Sequence, residues 1–189
     1  MVTANPGPRQ LAARGPAFER CLGQIDILSI NRSEAEVMVP SLIARFGEGG
    51  PAFEGSGLPR LAERGLNGGG FHMTLRAFAT AVSSMGPRYL LLTDGLDGAY
   101  VGSKGELLFC PALKVQVAGT AGAGDAFTST FATFIAFGNK PEQALHAATV
   151  NAASVVSYVD TQTGLLPRAE LEKRVSARAG EMPVQRWAL

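Results

Sequence analysis

The chain has 189 residues, 46% of them hydrophobic, with 17 basic against 16 acidic side chains, so it lies outside disordered, collagen-like or highly charged compositions. A formal net charge of +1 supplies no broad field to hold a nucleic-acid backbone or an acidic membrane. Cys21 and Cys110, like His72 and His146, are too few and too far apart for a disulfide scaffold or a protein-ligated zinc site.

Residues 1–189 are expected to form a single domain, because a chain of this mass can bury about two-thirds of its surface in one core. No basic segment and apolar run follow Met1 as a secretory leader would require. The longest apolar stretch, Ala126 to Gly138, has 13 residues including three Thr and one Ser, too short and polar to span a bilayer. A soluble, cytoplasmic protein is the expectation.

In chain order, Val2 to Ala4 reads as a short strand stopped by Asn5-Pro6-Gly7-Pro8, and Arg9 to Leu22 as a helix. Ile25-Asp26-Ile27-Leu28-Ser29 has the short β-branched character of a buried strand, ending at Asn31. Ser33 and Glu36, three residues apart, predict a capping box for a helix from about Glu34 into Ile43. Gly47 to Gly70, with nine glycines and two prolines, predicts a loop around a helical turn at Leu58 to Leu66. Phe71, Leu75, Phe78 and Val82 predict a helix over Phe71 to Ser84. Tyr89 to Leu92 reads as a strand, and Gly98 to Val101 with Leu107 to Cys110 as a hairpin about Ser103-Lys104-Gly105. Lys114 to Val117 reads as a weak strand. Phe127, Phe131, Phe134 and Ile135 make one helical stripe; Leu145, Ala148, Ala152, Val155, Val156 and Val159 make a second. A polar helix from Pro167 to about Val175 follows, and Gly180 to Leu189 is expected to pack lightly. This order predicts an open, mostly parallel α/β sheet flanked by helices.

Between Lys114 and Lys140 the only charged residue is Asp125, behind Gly119-Thr120-Ala121-Gly122-Ala123-Gly124. If buried, a carboxylate at the mouth of an apolar helix would need a partner. One reading is a first-turn or capping acid beside the free amides. The other is chemical. Gly122 and Gly124 leave a bare backbone whose amides, with that of Ala123, suit a phosphate or developing anion, and Asp125 can serve as base toward an attacking hydroxyl. No Gly-Lys-Ser/Thr follows, so this is not a P-loop, and the GxxGxG order is wrong for a dinucleotide fingerprint.

Gly119 to Phe127 resembles the Asp-Thr-Thr-Gly-Ala-Gly-Asp-Ala-Phe signature of the ribokinase-like carbohydrate kinases, the PfkB family. The resemblance implies that Asp125 is the catalytic base and that Gly122, Ala123 and Gly124 form the anion hole. Asn31-Arg32-Ser33-Glu34 is similar to the family's Asn-x-x-Glu, which places Asn31 near the nucleotide phosphates and lets Glu34 help orient Mg2+, largely through water. Thr93, Gly95 and Gly98 resemble the family's Thr-x-Gly-x-x-Gly turn against the nucleotide. Asn151 falls at the late helix that closes the adenine pocket, with Thr163-Gly164 and Pro167 beyond it.

Without the family, Asn31 and Glu34 read equally as a strand end and a helix-start acid, Thr93 to Gly98 as a tight turn, and Asn151 as an internal hydrogen-bonding residue. Gly119 stands where the family commonly has the Asp of a monovalent-cation site and has no side chain to offer. Asp94 and the Gly47 to Gly70 loop are additions to the pattern.

The implied fold is the carboxyl-terminal part of the ribokinase-like fold, without its N-terminal part. The implied activity is transfer of the γ-phosphate of ATP, with Mg2+, to a hydroxyl of a sugar or sugar-like alcohol. A non-catalytic nucleotide-binding or association module is the alternative. An open sheet edge at Val2 to Ala4 predicts a homo-oligomer or a chain supplying the missing half. Neither nucleic acid nor membrane is an expected partner.

Overall fold

The computed structural model describes residues 1–12 and 20–189. They divide into two compact units: Met1–Leu107 with Arg186–Leu189, and Leu108–Gln185.

The first unit is built on the strands β1 (Thr3–Ala4), β2 (Ile27–Asn31), β5 (Tyr89–Thr93), β6 (Ala99–Ser103), β7 (Glu106–Cys110) and β8 (Gln185–Ala188). They lie side by side in the order β1-β2-β5-β6-β7-β8. The sheet is parallel through β1, β2 and β5 and turns antiparallel at β6. The first four residues of β2 and of β5 are buried, as expected of strands covered on both faces. The division between the units passes through β7 and just before Arg186.

Helix α1 (Pro8–Ala12) opens on Gly7, whose carbonyl accepts from the Gln10 and Leu11 amides. Residues 20–22 are helical as well, and the middle of the expected Arg9–Leu22 helix, residues 13–19, lies outside the described residues. Helix α2 (Arg32–Phe46) starts two residues earlier than expected. Asn31, not Ser33, is its cap, and Glu34, not Glu36, completes the box. Strand β2 runs to Asn31, so the first residue free to leave extended geometry is Asn31 itself, whose side chain also caps well.

Two short strands, β3 (Leu66–Gly68) and β4 (Phe71–Met73), pair antiparallel where a loop and the beginning of a helix were expected. Phe71 fits the helical spacing, but Thr74 accepts a hydrogen bond from the Ala77 amide and begins α4 (Leu75–Ser84) only there. Helix α3 (Arg60–Arg64) lies inside the glycine-rich segment as anticipated. Pro40 within α2 has no N–H to give the Glu36 carbonyl. Gly68 closes on that carbonyl so tightly that a β-carbon would overlap it, and one at Gly69 would come within 2.7 Å of Pro40 Cγ. Two glycines thus let β3 lie directly on α2.

The β6–β7 hairpin turns through Lys104 (φ 48°) and Gly105 (φ 78°), two left-handed positions that match the twist of the strands. The C-terminal segment is mostly exposed, as expected, but it is anchored. Strand β8 joins the sheet edge, the Leu189 amide donates to the Gly105 carbonyl at 2.7 Å, and Trp187 stacks on Phe53 with centroids 5.2 Å apart.

The second unit holds α5 (Ala123–Ala136), α6 (Pro141–Val155) and α7 (Arg168–Arg178). Helices α5 and α6 bury Phe127, Phe131 and Phe134 on one side and Leu145, Ala148 and Val155 on the other. Val159 was expected in the second stripe but lies past the helix end and is 80% exposed. Lys114 to Val117 forms no strand; directly after it the amides of Ala118 and Gly119 donate to the Val156 carbonyl. Met182 is buried, and its carbonyl bonds His146 Nε2 at 2.9 Å.

The Gly68 contact yields a first prediction. Gly68→Ala should lower stability by about 1–3 kcal/mol through overpacking, whereas Gly50→Ala, with nothing within 4 Å, should change it by less than about 0.5 kcal/mol. Urea unfolding of the two variants checks this.

Candidate active site

In the first unit the implied nucleotide residues gather at the carboxyl ends of β2 and β5, the usual position for a ligand on an open parallel sheet. The register places Asn31 directly beside Thr93. Asn31 Oδ1 accepts from the Glu34 amide at 2.9 Å, and Glu34 Oε2 accepts from the Asn31 amide at 2.8 Å. This reciprocal pair satisfies two helix-start donors and leaves Glu34 one carboxylate oxygen without a hydrogen-bond partner among the described residues.

Beyond Thr93 the chain reverses through residues 94–98. The Asp97 amide donates to the Asp94 carbonyl at 3.0 Å, and the Asp94 amide to the Gly98 carbonyl at 2.8 Å. Gly95 (φ 56°) faces open space, so its left-handed backbone, not crowding, asks for glycine there. Leu96 at the tip is 85% exposed.

Arg32 and Asp94 were not anticipated as a pair. Arg32 Nη1 donates to Asp94 Oδ1 at 2.8 Å, and the Asp94 side chain is only 2% exposed. Asp94 Oδ2 is buried with no hydrogen-bond partner among the described residues. Burial pushes the Asp94 carboxyl above its ordinary value; Arg32 pulls it down, Asp97 pushes it up, and Arg64 and Arg60 pull it down more weakly. The sequence contained one clue, an arginine after Asn31 and an acid after Thr93. Only the strand register makes them neighbours.

In the second unit the Gly119–Asp125 turn runs into α5. Gly122 takes the left-handed conformation (φ 79°, ψ −10°), and a β-carbon there would come within 2.8 Å of Thr161 Cβ. The Ala126 amide makes the first helical bond, to the Gly122 carbonyl at 2.8 Å. The amides of Ala123, Gly124 and Asp125 precede it and have no carbonyl in the helix to meet. Gly124 has nothing within 4 Å of its would-be β-carbon, so the approach is open.

Asp125 is exposed, which removes burial as a reason for its carboxylate to need a partner. It does not cap the helix, and it makes no side-chain hydrogen bond or ion pair among the described residues. Gly119 lies against the carbonyls of Tyr158 and Val159, where a β-carbon would be 3.1 Å and 3.3 Å away.

Asn151 is buried and fully engaged. Its Nδ2 donates to Thr130 Oγ1 at 2.8 Å, and its Oδ1 accepts from the Leu166 amide at 3.0 Å. Asp160 Oδ1 accepts from the Gln162 and Thr163 amides, and those bonds hold its carboxyl below the ordinary range. Among the described residues no group of three His, Cys, Asp or Glu is placed to hold a metal. No helix among them is long and apolar enough to cross a membrane.

A mostly parallel α/β sheet flanked by helices is the architecture of the ribokinase fold. The solved Arabidopsis thaliana ribokinase, complexed with ribose and ATP, superposes with a TM-score of 0.64 over 92% of this chain and 47% of that one, at 22% identity. The pfkB family carbohydrate kinase pattern matches residues 4–169, and the chain belongs to that family. Among its relatives, the 1-phosphofructokinase of Haloferax volcanii is 36% identical over 84 residues, 44% of this chain and 28% of that enzyme. The ribokinase of Bacillus subtilis is 32% identical over 90 residues, 48% and 31% of the two chains. The chain spans about half the length of the solved ribokinase.

The electrostatics of Asp94 carry a second prediction. A carboxyl whose folded value lies above its ordinary 3.8 binds its proton more tightly folded than unfolded. Its contribution to stability is full below the unfolded value and is lost as pH rises through the folded one. The stability of the wild type relative to Asp94→Asn should therefore fall as pH is raised from about 3 toward neutrality. Paired denaturant titrations across that range measure it.

Proposed function

We propose that the chain forms the phosphoryl-transfer part of an ATP-dependent carbohydrate kinase, with Asp125 as the base toward a hydroxyl of a sugar or sugar-like alcohol. The observation that carries this reading is an exposed, uncommitted carboxylate in the same first turn as three amides without helical partners. A carboxylate present only to cap would bond those amides; this one does not. In the proposed step the acceptor hydroxyl gives its proton to Asp125, its oxygen bonds the γ-phosphorus, and the bond to the ADP oxygen breaks. The amides of Ala123 and Gly124, two of the three residues expected in the anion hole, hold the charge that builds on the phosphoryl oxygens, with that of Asp125 in place of the one expected from Gly122, which takes the N-cap position.

Asn31, Thr93, Gly95 and Gly98 are assigned to the nucleotide on the family pattern, and the open backbone at Gly95 supports that assignment. Asn151 enters indirectly, through the Leu166 segment that it holds. The donor set suits Mg2+ and not a protein-caged metal. Glu34 has one oxygen to spare, and Mg2+ commonly keeps its waters while taking one or two carboxylates and the substrate's phosphates. When bound, the ion would supply charge for the transferring phosphoryl group.

A non-catalytic nucleotide-binding or association module remains the second reading, favoured by the chain's span of about half of the solved ribokinase. A second copy, or a chain carrying the remaining half, is the proposed partner; the proposed compartment is the cytoplasm.

Replacing Asp125 by Asn tests the assignment. With ATP, Mg2+ and ribose as the first acceptor, and with the partner present, turnover should fall on the order of 10²- to 10⁴-fold, while calorimetric affinity for ATP changes little. Unchanged turnover would remove Asp125 as the base. ATP binding with no turnover by the wild type across sugars, nucleosides and small alcohols would favour the second reading.

A further inference from the structure

A cavity of about 270 Å³ lies wholly within the first unit, lined by Arg32, Glu36, Leu61, Arg64, Gly65 and Asn67. Helix α2 supplies one wall, since Arg32 and Glu36 are four residues apart and share a face. The glycine-rich segment supplies the other, through α3 and the start of β3.

These walls are fixed by packing that has no other evident purpose. Gly65 (φ 69°) sits so close to the Met73 carbonyl and His72 Nε2 that a β-carbon would come within 2.5 Å and 2.8 Å of them. His72 Nε2 also bonds the Arg64 carbonyl at 2.8 Å. Buried Tyr100 brings its hydroxyl near the amides of Ala62 and Leu61, where β6 passes α3. Gly68 locks β3 onto the Glu36 carbonyl. The cavity is therefore preformed.

Its charges are arranged for a guest. Arg32 is held from behind by buried Asp94, which uses one nitrogen of the guanidinium and leaves the remaining donors unassigned. Arg64 lines the same space, and its side chain makes no hydrogen bond or ion pair among the described residues; the same is true of Glu36. Two guanidinium groups and a carboxylate thus share a cavity in which neither Arg32 nor Arg64 forms a salt bridge to Glu36. Guanidinium forks match the oxygens of a phosphate. Glu36 repels a second anion but accepts from hydroxyls, and Asn67 can both donate and accept. Leu61 and Gly65 offer apolar surface to a carbon chain.

We propose that this cavity binds a small phosphorylated polyol, its phosphate on Arg32 and Arg64 and its hydroxyls on Glu36 and Asn67. The site is built from first-unit residues alone and requires no nucleotide.

Calorimetric titration of the whole chain with ribose 5-phosphate, in the absence of ATP, tests it. Saturable binding is expected, at least about tenfold tighter than for inorganic phosphate, ribose or gluconate, because only the sugar phosphate satisfies both halves of the site. Arg64→Gln, at an exposed helix end, should weaken it about tenfold or more with an unchanged melting curve. Glu36→Gln should narrow the preference over inorganic phosphate. Arg32→Lys keeps a cation for Asp94 and removes the fork, and it should also weaken binding. Absence of saturable binding up to about 10 mM in a cooperatively folding sample would overturn the proposal. Equal affinity for inorganic phosphate, or an Arg64→Gln protein that binds as the wild type does, would overturn it as well. Because ATP is absent, a failure here leaves the kinase reading untouched, and a failed Asp125 test leaves this site untouched.

Discussion

The parallel pairing of β2 with β5 governs the chemistry available in the first unit. Its register sets Asn31 beside Thr93, and both chains leave the sheet at that level, one into a helix and the other into a tight turn. A parallel pair cannot be closed by a hairpin, so the connection from β2 to β5 must cross over, and it carries α2, the β3–β4 hairpin and α4. Everything polar at this end of the sheet follows from that crossover. Arg32 begins α2 because Asn31 ends β2, and it meets Asp94 because Thr93 ends β5. A slip of one residue would exchange the two buried faces of β5 and separate the ion pair.

The Arg32–Asp94 pair carries its own tension. A carboxylate that is 2% exposed loses most of its hydration, and one cation at 2.8 Å does not fully restore it, as the raised affinity for a proton indicates. Well-packed apolar residues could fill such a position without this cost. Buried ion pairs are weak contributors to stability, so the pair is better understood through what it orients than through what it stabilises. What it orients is an arginine at the mouth of a cavity.

Much of this was legible in the sequence, and the failures share physical causes. The strands of the parallel core stood out as short apolar runs, whereas the left-handed conformation of Gly122 before α5 was not anticipated. The capping residue of α2 was misplaced by two positions because Ser33-x-x-Glu36 and Asn31-x-x-Glu34 are both valid boxes, and only the strand's last paired residue decides between them. The β3–β4 hairpin was invisible because its strands, Leu66–Gly68 and Phe71–Met73, are three residues each, too short for an alternation to emerge. Its stability comes from backbone contact with α2, a tertiary term. The same holds for β8, whose polar sequence gains its place from the sheet edge and from Trp187 on Phe53. The burial argument that drew attention to Asp125 was unsuitable, since its carboxylate is exposed.

That exposure bears on how one turn can serve both an anion and a base. Carboxylate and phosphoryl oxygens would compete for the same helix-start amides if Asp125 capped α5, and the field of the helix end would reward the competition. The left-handed Gly122 removes the usual capping position from the contest, because it has no side chain and delivers the amides of residues 123–125 unbonded. Asp125, three residues into the turn, then keeps its carboxylate in solvent. A side chain at Gly122 would both meet Thr161 and strain the left-handed backbone, so under the proposed function the separation of the two roles would depend on glycine at that one position. Gly124 has a different part. Nothing stands within 4 Å of it, and a side chain there would fit the local packing while covering the open approach to the amides. The two glycines therefore divide the work, one shaping the turn and the other leaving it accessible.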